Sequence, residues 1–103
     1  MEKKYKLTEE TTNMGGRTLY RIEALKDFND VKKGDKGGFI ENEKNLSQIA
    51  DCWVYGDAMV YNNARICGNA KIYGEAMLYN NAVVRGNTKI CEQVKKEFIS
   101  FGF

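Results

Sequence analysis

Three cysteines, a lysine-rich glycine loop and a set of aromatic residues flanked by lysines are the parts of this chain whose types and spacing could do chemistry. Cys67 and Cys91 could act as nucleophiles if a neighbouring base took the thiol proton, because the thiolate is the reactive form, whereas Cys52 takes a small inward slot and reads as an inert core residue. Histidine supplies no such base, since the 103-residue chain contains none. The same absence removes the commonest general base and a frequent zinc ligand. No catalytic residue, metal site or cofactor site is therefore assigned from the sequence. The segment Lys32, Lys33, Gly34, Asp35, Lys36, Gly37, Gly38 has the composition of a phosphate-binding loop. It lacks the order of one and no clear helix follows, so it reads as a solvated turn.

Trp53, Tyr55 and Tyr73, beside Lys71 and Lys89, could stack bases as single-strand binders do. The competing reading is an aromatic ladder partly buried under a cap, and charge favours it. There are 16 Lys and Arg against 14 Asp and Glu, a net charge of +2, which is too balanced for a protein whose affinity rests on neutralising many phosphates. Nucleic acid is accordingly not the expected partner.

What must position these side chains is an internal repeat. Cutting the chain every six residues from Asn45 gives NLSQIA, DCWVYG, DAMVYN, NARICG, NAKIYG, EAMLYN, NAVVRG and NTKICE. From the second hexad on, the first position is Asp, Asn or Glu, the second is small and the fourth is aliphatic. The sixth is Gly or Asn until Glu92. A longer period is nested inside: Ala58, Met59, Tyr61, Asn62, Asn63 and Ala64 recur as Ala76, Met77, Tyr79, Asn80, Asn81 and Ala82. Three hexads thus make one turn of a triangular parallel β-solenoid. Positions two and four point the same way in a strand, into a narrow interior. Gly56, Asn62, Gly68, Gly74, Asn80 and Gly86 fall at corners, where the backbone needs the left-handed region. A meander of antiparallel hairpins would share the turn residues, but its strands would be too short.

The hexads V-Y-G-D-A-M from Val54, I-C-G-N-A-K from Ile66 and I-Y-G-E-A-M from Ile72 resemble the repeat of left-handed β-helix proteins. Residues 19 to 48, followed by Trp53 to Ala58, are similar to short hexapeptide-repeat proteins of bacteria and phages, some carrying a transferase label. The resemblance implies an all-β fold, a short left-handed parallel β-helix. It also implies sites this chain cannot copy, because the acyltransferases and carbonic anhydrases of that family rely on histidine. A non-catalytic role follows as the expectation.

The expected organisation is one domain: an N-terminal cap of β-hairpin and loop over residues 1–44, a coil of eight hexads over 45–92, and a short capping helix with its tail over 93–103. Val94 and Phe98 have helical spacing. Phe98, Ile99, Phe101 and Phe103 either plug the end of the coil or form an association surface. Positions three and five of each hexad should point outward. One face then carries Met59, Tyr61, Met77 and Tyr79, read either as a protein interface, since Tyr and Met are enriched in interface cores, or as side chains that tie adjacent coils. A second carries Trp53, Tyr55, Lys71 and Tyr73, and the third carries Arg65, Cys67, Val83 and Arg85.

The function expected on this reading is binding of a protein partner by a rigid prism, with a homo-oligomer also open. Its most concrete form is a phage-type inhibitor of a bacterial defence effector, similar in role to an anti-CRISPR protein. The alternatives are a transferase-like or small-molecule-binding protein with its site between subunits, and a nucleic-acid binder. Met1 to Lys6 lack the apolar run of a secretion signal, and no stretch is apolar enough to span a membrane. The expected location is the bacterial cytoplasm.

Overall fold

The computed structural model describes residues 3–90 and, beyond them, the backbone of two short strands at Lys95–Lys96 and Ser100–Phe101. Three longer strands come first: β1 (Tyr5–Met14), β2 (Arg17–Ala24) and β3 (Lys36–Ile40). Then β4 (Trp53–Val54), β5 (Met59–Val60), β6 (Arg65–Ile66), β7 (Lys71–Ile72), β8 (Met77–Leu78), β9 (Val83–Val84) and β10 (Lys89–Ile90) each hold two residues, the third and fourth of a hexad. The later pair are β11 (Lys95–Lys96) and β12 (Ser100–Phe101). The chain is all-β with parallel sheets.

Two residues are as much strand as a six-residue repeat can spare once its corner is made. Stability has to come from stacking. Trp53 lies beside Lys71 and Lys71 beside Lys89, while Met59 lies beside Met77 and Arg65 beside Val83. Each of these steps is eighteen residues, and three parallel stacks form: β3–β5–β8–β11, whose first step from β3 is longer, β4–β7–β10 and β6–β9–β12. Backbone donors of one coil reach carbonyls of the next, as from Trp53 to Ala70 (3.1 Å) and from Lys71 to Thr88 (3.0 Å). All six expected corners have positive φ, including the non-glycine residues Asn62 (60°) and Asn80 (53°). Asparagine tolerates that region better than most residues, and the Asn62 side-chain amide donates to Asn80 Oδ1 at 2.8 Å, tying one corner to the next.

The interior is as the repeat requires. Cys52, Ala58, Ala64, Ala70, Ala76 and Ala82 are buried, and so are Val54, Val60, Ile66, Ile72, Leu78, Val84 and Ile90. A small residue beside a branched one fills a prism too narrow for two large side chains. The coil is closed at its first end by the β1–β2 hairpin, whose turn places Gly15 and Gly16 at φ values of 58° and 85°. Strand β2 pairs antiparallel with β3, which in turn pairs parallel with β5. The hairpin thus occupies the sheet edge that would otherwise invite another chain.

Two expectations need correction. The first hexad does not begin at Asn45 in the register of the rest, because Phe39 lies beside Met59 and Leu46 beside Ile66, twenty residues apart. The coil therefore starts within β3, and two extra residues emerge between Leu46 and Trp53. The expected C-terminal helix is replaced at its described positions by strands: Lys95 and Lys96 pair with Met77 and Leu78, and Ser100 and Phe101 pair with Val83 and Val84. Edge strands β8 and β9 offer these residues a ladder of backbone partners, which a short helix, marginal on its own, cannot match. The coil periodicity overrides the local helical spacing of Val94 and Phe98, which themselves lie outside the described residues.

Candidate functional site

The stack β3–β5–β8 carries Met59, Tyr61, Met77 and Tyr79 on its outer side, all half-buried. Tyr61 and Tyr79 are stacked, with ring centroids 5.4 Å apart and planes 9° from parallel. Burial and the neighbouring Tyr79 raise the Tyr61 phenol above its ordinary pKa. At the edge of this ladder Arg17 Nη1 donates to both carboxylate oxygens of Glu41, at 3.0 and 2.9 Å. Glu41 also accepts from the Asn62 backbone at 2.8 Å. The result is a flat aromatic and thioether surface with a fixed polar margin.

On the stack β4–β7–β10 the expected group divides. Trp53 is 1% exposed and lies edge-on to Tyr5 and Phe28, at 6.1 and 5.2 Å, so it offers no free ring face to a base. Tyr55 and Tyr73 stack at 4.5 Å outside it. Tyr55 donates its hydroxyl proton to Asp30 at 2.7 Å, and Lys71, itself buried, donates to the Tyr55 oxygen at 3.2 Å. The Tyr55 hydrogen bond holds the Asp30 carboxyl below the usual range, whereas burial and then Asp30 push the Tyr55 phenol well above its own. A phenol so held is a poor base. These residues tie the loop after β2 onto the coil, which is the work of the cap.

Arg65 and Arg85 are exposed on the third stack, with Cys67 and Val83 half-buried between them. Cys52 sits in the interior and Cys67 at the surface, both as free thiols. Cys91, Phe98, Ile99 and Phe103 lie outside the described residues, as does the side chain of Phe101.

Residues the repeat did not point to gather at the capped end. Lys4 is 1% exposed, and its ammonium donates to the carbonyls of Ala50 (3.1 Å) and Cys52 (2.8 Å), approaches Cys52 Sγ at 3.5 Å, and stands 5.0 Å from the Phe28 ring centre. Burial lowers the Lys4 pKa below its usual value and raises that of the Cys52 thiol. Above this group a cleft of about 490 Å³ opens between the β2–β3 loop and the two-residue surplus, lined by Lys26, Asp27, Phe28, Ile49, Ala50 and Asp51, with Gln48 behind. The sequence signal was present in the failure of Ile49 and Ala50 to fit the hexad, but no periodicity marks Lys4 or Phe28. Among the described residues no cluster of His, Cys, Asp or Glu is placed to hold a metal ion. No helix among them is long and apolar enough to cross a membrane.

What these features define is a β protein of parallel, eighteen-residue coils closed at one end by a hairpin. No family model matches the chain. It is similar to a protein of Escherichia coli (strain K12) described as the uncharacterized acetyltransferase YdcK, 37% identical over 79 residues, which covers 68% of this chain and 24% of that protein. The chain thus spans about a quarter of the relative's length. This likeness corrects the expectation of a non-catalytic protein, because the relative is described as an enzyme although the present chain lacks histidine. It lends nothing to the expectation of a phage inhibitor of bacterial defence.

Proposed function

We propose that this chain is a left-handed β-helix of the hexapeptide-repeat kind and works as an acetyltransferase-like protein, with its donor site formed where copies meet along the Tyr61–Tyr79 face. The 37% identity to a protein described as an acetyltransferase carries the reading. The geometry supports it in one respect: a coil whose corners and interior are fully occupied has little room for a substrate within itself, so a site is better built against a neighbour. Met59 and Met77 beside the stacked tyrosines make a surface suited to such a contact.

Two measurements test it. Coenzyme A titrated into the assembled protein in a calorimeter should bind with one site per chain. No heat up to about 1 mM ligand overturns the donor assignment. The double change Tyr61→Ala with Tyr79→Ala should reduce the mass in light scattering to that of one chain while leaving the circular dichroism spectrum unchanged. An unaltered mass would place the contact elsewhere and separate the assembly question from the donor question.

A further inference from the structure

The first coil is two residues longer than those that follow, and the surplus is not absorbed into the prism. It rises as the segment Ser47–Asp51, in which Ile49 is 66% exposed, the exposed large apolar side chain among the described residues. Ala50 adopts φ of 62°, a conformation that costs an L-residue roughly 1–2 kcal/mol and persists only when its surroundings impose it. The buried Lys4 ammonium donates to the Ala50 carbonyl at 3.1 Å, and the Asp51 backbone donates to Asn69 Oδ1 at 3.3 Å, so the segment is held on both sides of the strained residue. On the opposite wall Phe28 is fixed by paired backbone bonds with Val31, at 2.9 and 2.8 Å, with Asn29 left-handed between them. A strained lip and a clamped ring thus face each other across the cleft.

The ionised groups at the rim are not equivalent. Asp27 Oδ1 already accepts from the Lys33 backbone at 2.8 Å. The Gln48 amide is spent on Lys4, Tyr5 and Glu43. Lys26 and Asp51 make no side-chain hydrogen bond or ion pair among the described residues, and both lie within electrostatic range of the buried Lys4 ammonium. The Lys26 ammonium and the Asp51 carboxylate flank an apolar floor, with the Asp27 carboxylate held by its backbone contact, and that arrangement complements a molecule with an ammonium, a carboxylate and an apolar body.

We propose that the cleft binds a free apolar α-amino acid as its zwitterion, the side chain lying between Phe28 and Ile49, the carboxylate directed to Lys26 and the ammonium to Asp51. The inference stands apart from the transferase reading, and its test contains no thioester. L-leucine titrated into nitrogen-labelled full-length protein should move the amide resonances of Phe28 and of Ile49 to Asp51, with a dissociation constant of about 1 mM, as befits so small a ligand. L-leucinamide lacks the carboxylate and N-acetyl-L-leucine lacks the ammonium, and each should bind about tenfold more weakly. Asp51→Asn should weaken leucine without weakening the acetylated derivative, and Lys26→Gln should weaken leucine without weakening the amide. Absence of leucine-dependent shifts at these amides overturns the proposal. So does either derivative binding as tightly as leucine, which would reduce the cleft to an apolar surface.

Discussion

Gly38→Ala is expected to lower stability by about 3 kcal/mol or more, a drop of roughly 12–24 °C in the melting temperature of a domain this size. A methyl group at Gly38 would run into the Ala58 carbonyl oxygen and would stand 2.6 Å from Val54 Cγ1. Both obstacles belong to the coil beneath β3: the first is backbone, which cannot swing aside, and the second is the stiff β-branched side chain of fully buried Val54. Gly34→Ala is the matched control. Its added methyl meets nothing within 4 Å and bears only the strain of φ at 94°, worth about 1 kcal/mol. Thermal unfolding of the two variants by circular dichroism separates close approach from backbone strain, and equal losses would contradict the tight seating of β3 on the coil.

The second large effect is expected at Lys4. Replacing it with alanine strands the Ala50 and Cys52 carbonyls and opens a cavity beneath Phe28, together costing about 3–4 kcal/mol. Lys4→Met fills the space but donates nothing, so it should lose about half as much, and urea unfolding of both variants measures the difference. The pH dependence has a definite sign. Burial lowers the folded-state pKa of Lys4 below 10.5, so between that lowered value and 10.5 the unfolded chain holds more protons and stability rises with pH. Below the lowered value the cost of burying the charge is present in full. Cys52 works in the opposite direction, because its raised pKa makes stability fall as pH climbs past 9.0. The stability gap between the native chain and Lys4→Met should therefore widen as pH rises towards 10, and a gap that narrows would show that the ammonium is not desolvated.

Periodic features were legible and solitary ones were not. Each corner and each inward residue recurs, so the period of six and the step of eighteen could be read from Asp51 onward without any contact being known. The coil before Asp51 is not legible because its surplus lies inside an apparently regular hexad: Leu46 fills an interior slot under either register, and only its pairing with Ile66 decides between them. The tail is hidden for a related reason. Val94 and Phe98 sit at helical spacing, but β8 and β9 present open edges to Lys95 and Ser100, and a non-local template outweighs local preference. Asn45 is a further case. It is fully buried, with its carbonyl capping the Glu41 and Asn42 amides and its amide donating to the Asn62 and Ala64 carbonyls. Nothing in the residues before it announces that role. The absence of histidine is a fact of composition that does not decide function, since a likeness to a protein described as an acetyltransferase coexists with it.

The step of eighteen also sets what the gene can tolerate. Duplication of a whole coil would lengthen the prism and return every later residue to its own side, extending the tyrosine and asparagine ladders by one rung. Duplication of a single hexad would preserve corners and interior equally well, yet it would rotate everything downstream by a third of a turn. Tyr79 would then leave the side that carries Tyr61, and Arg85 would leave that of Arg65. Such an insertion would fold but scramble the faces, so growth in units of three hexads is the only kind that keeps both the stack and the surface it displays.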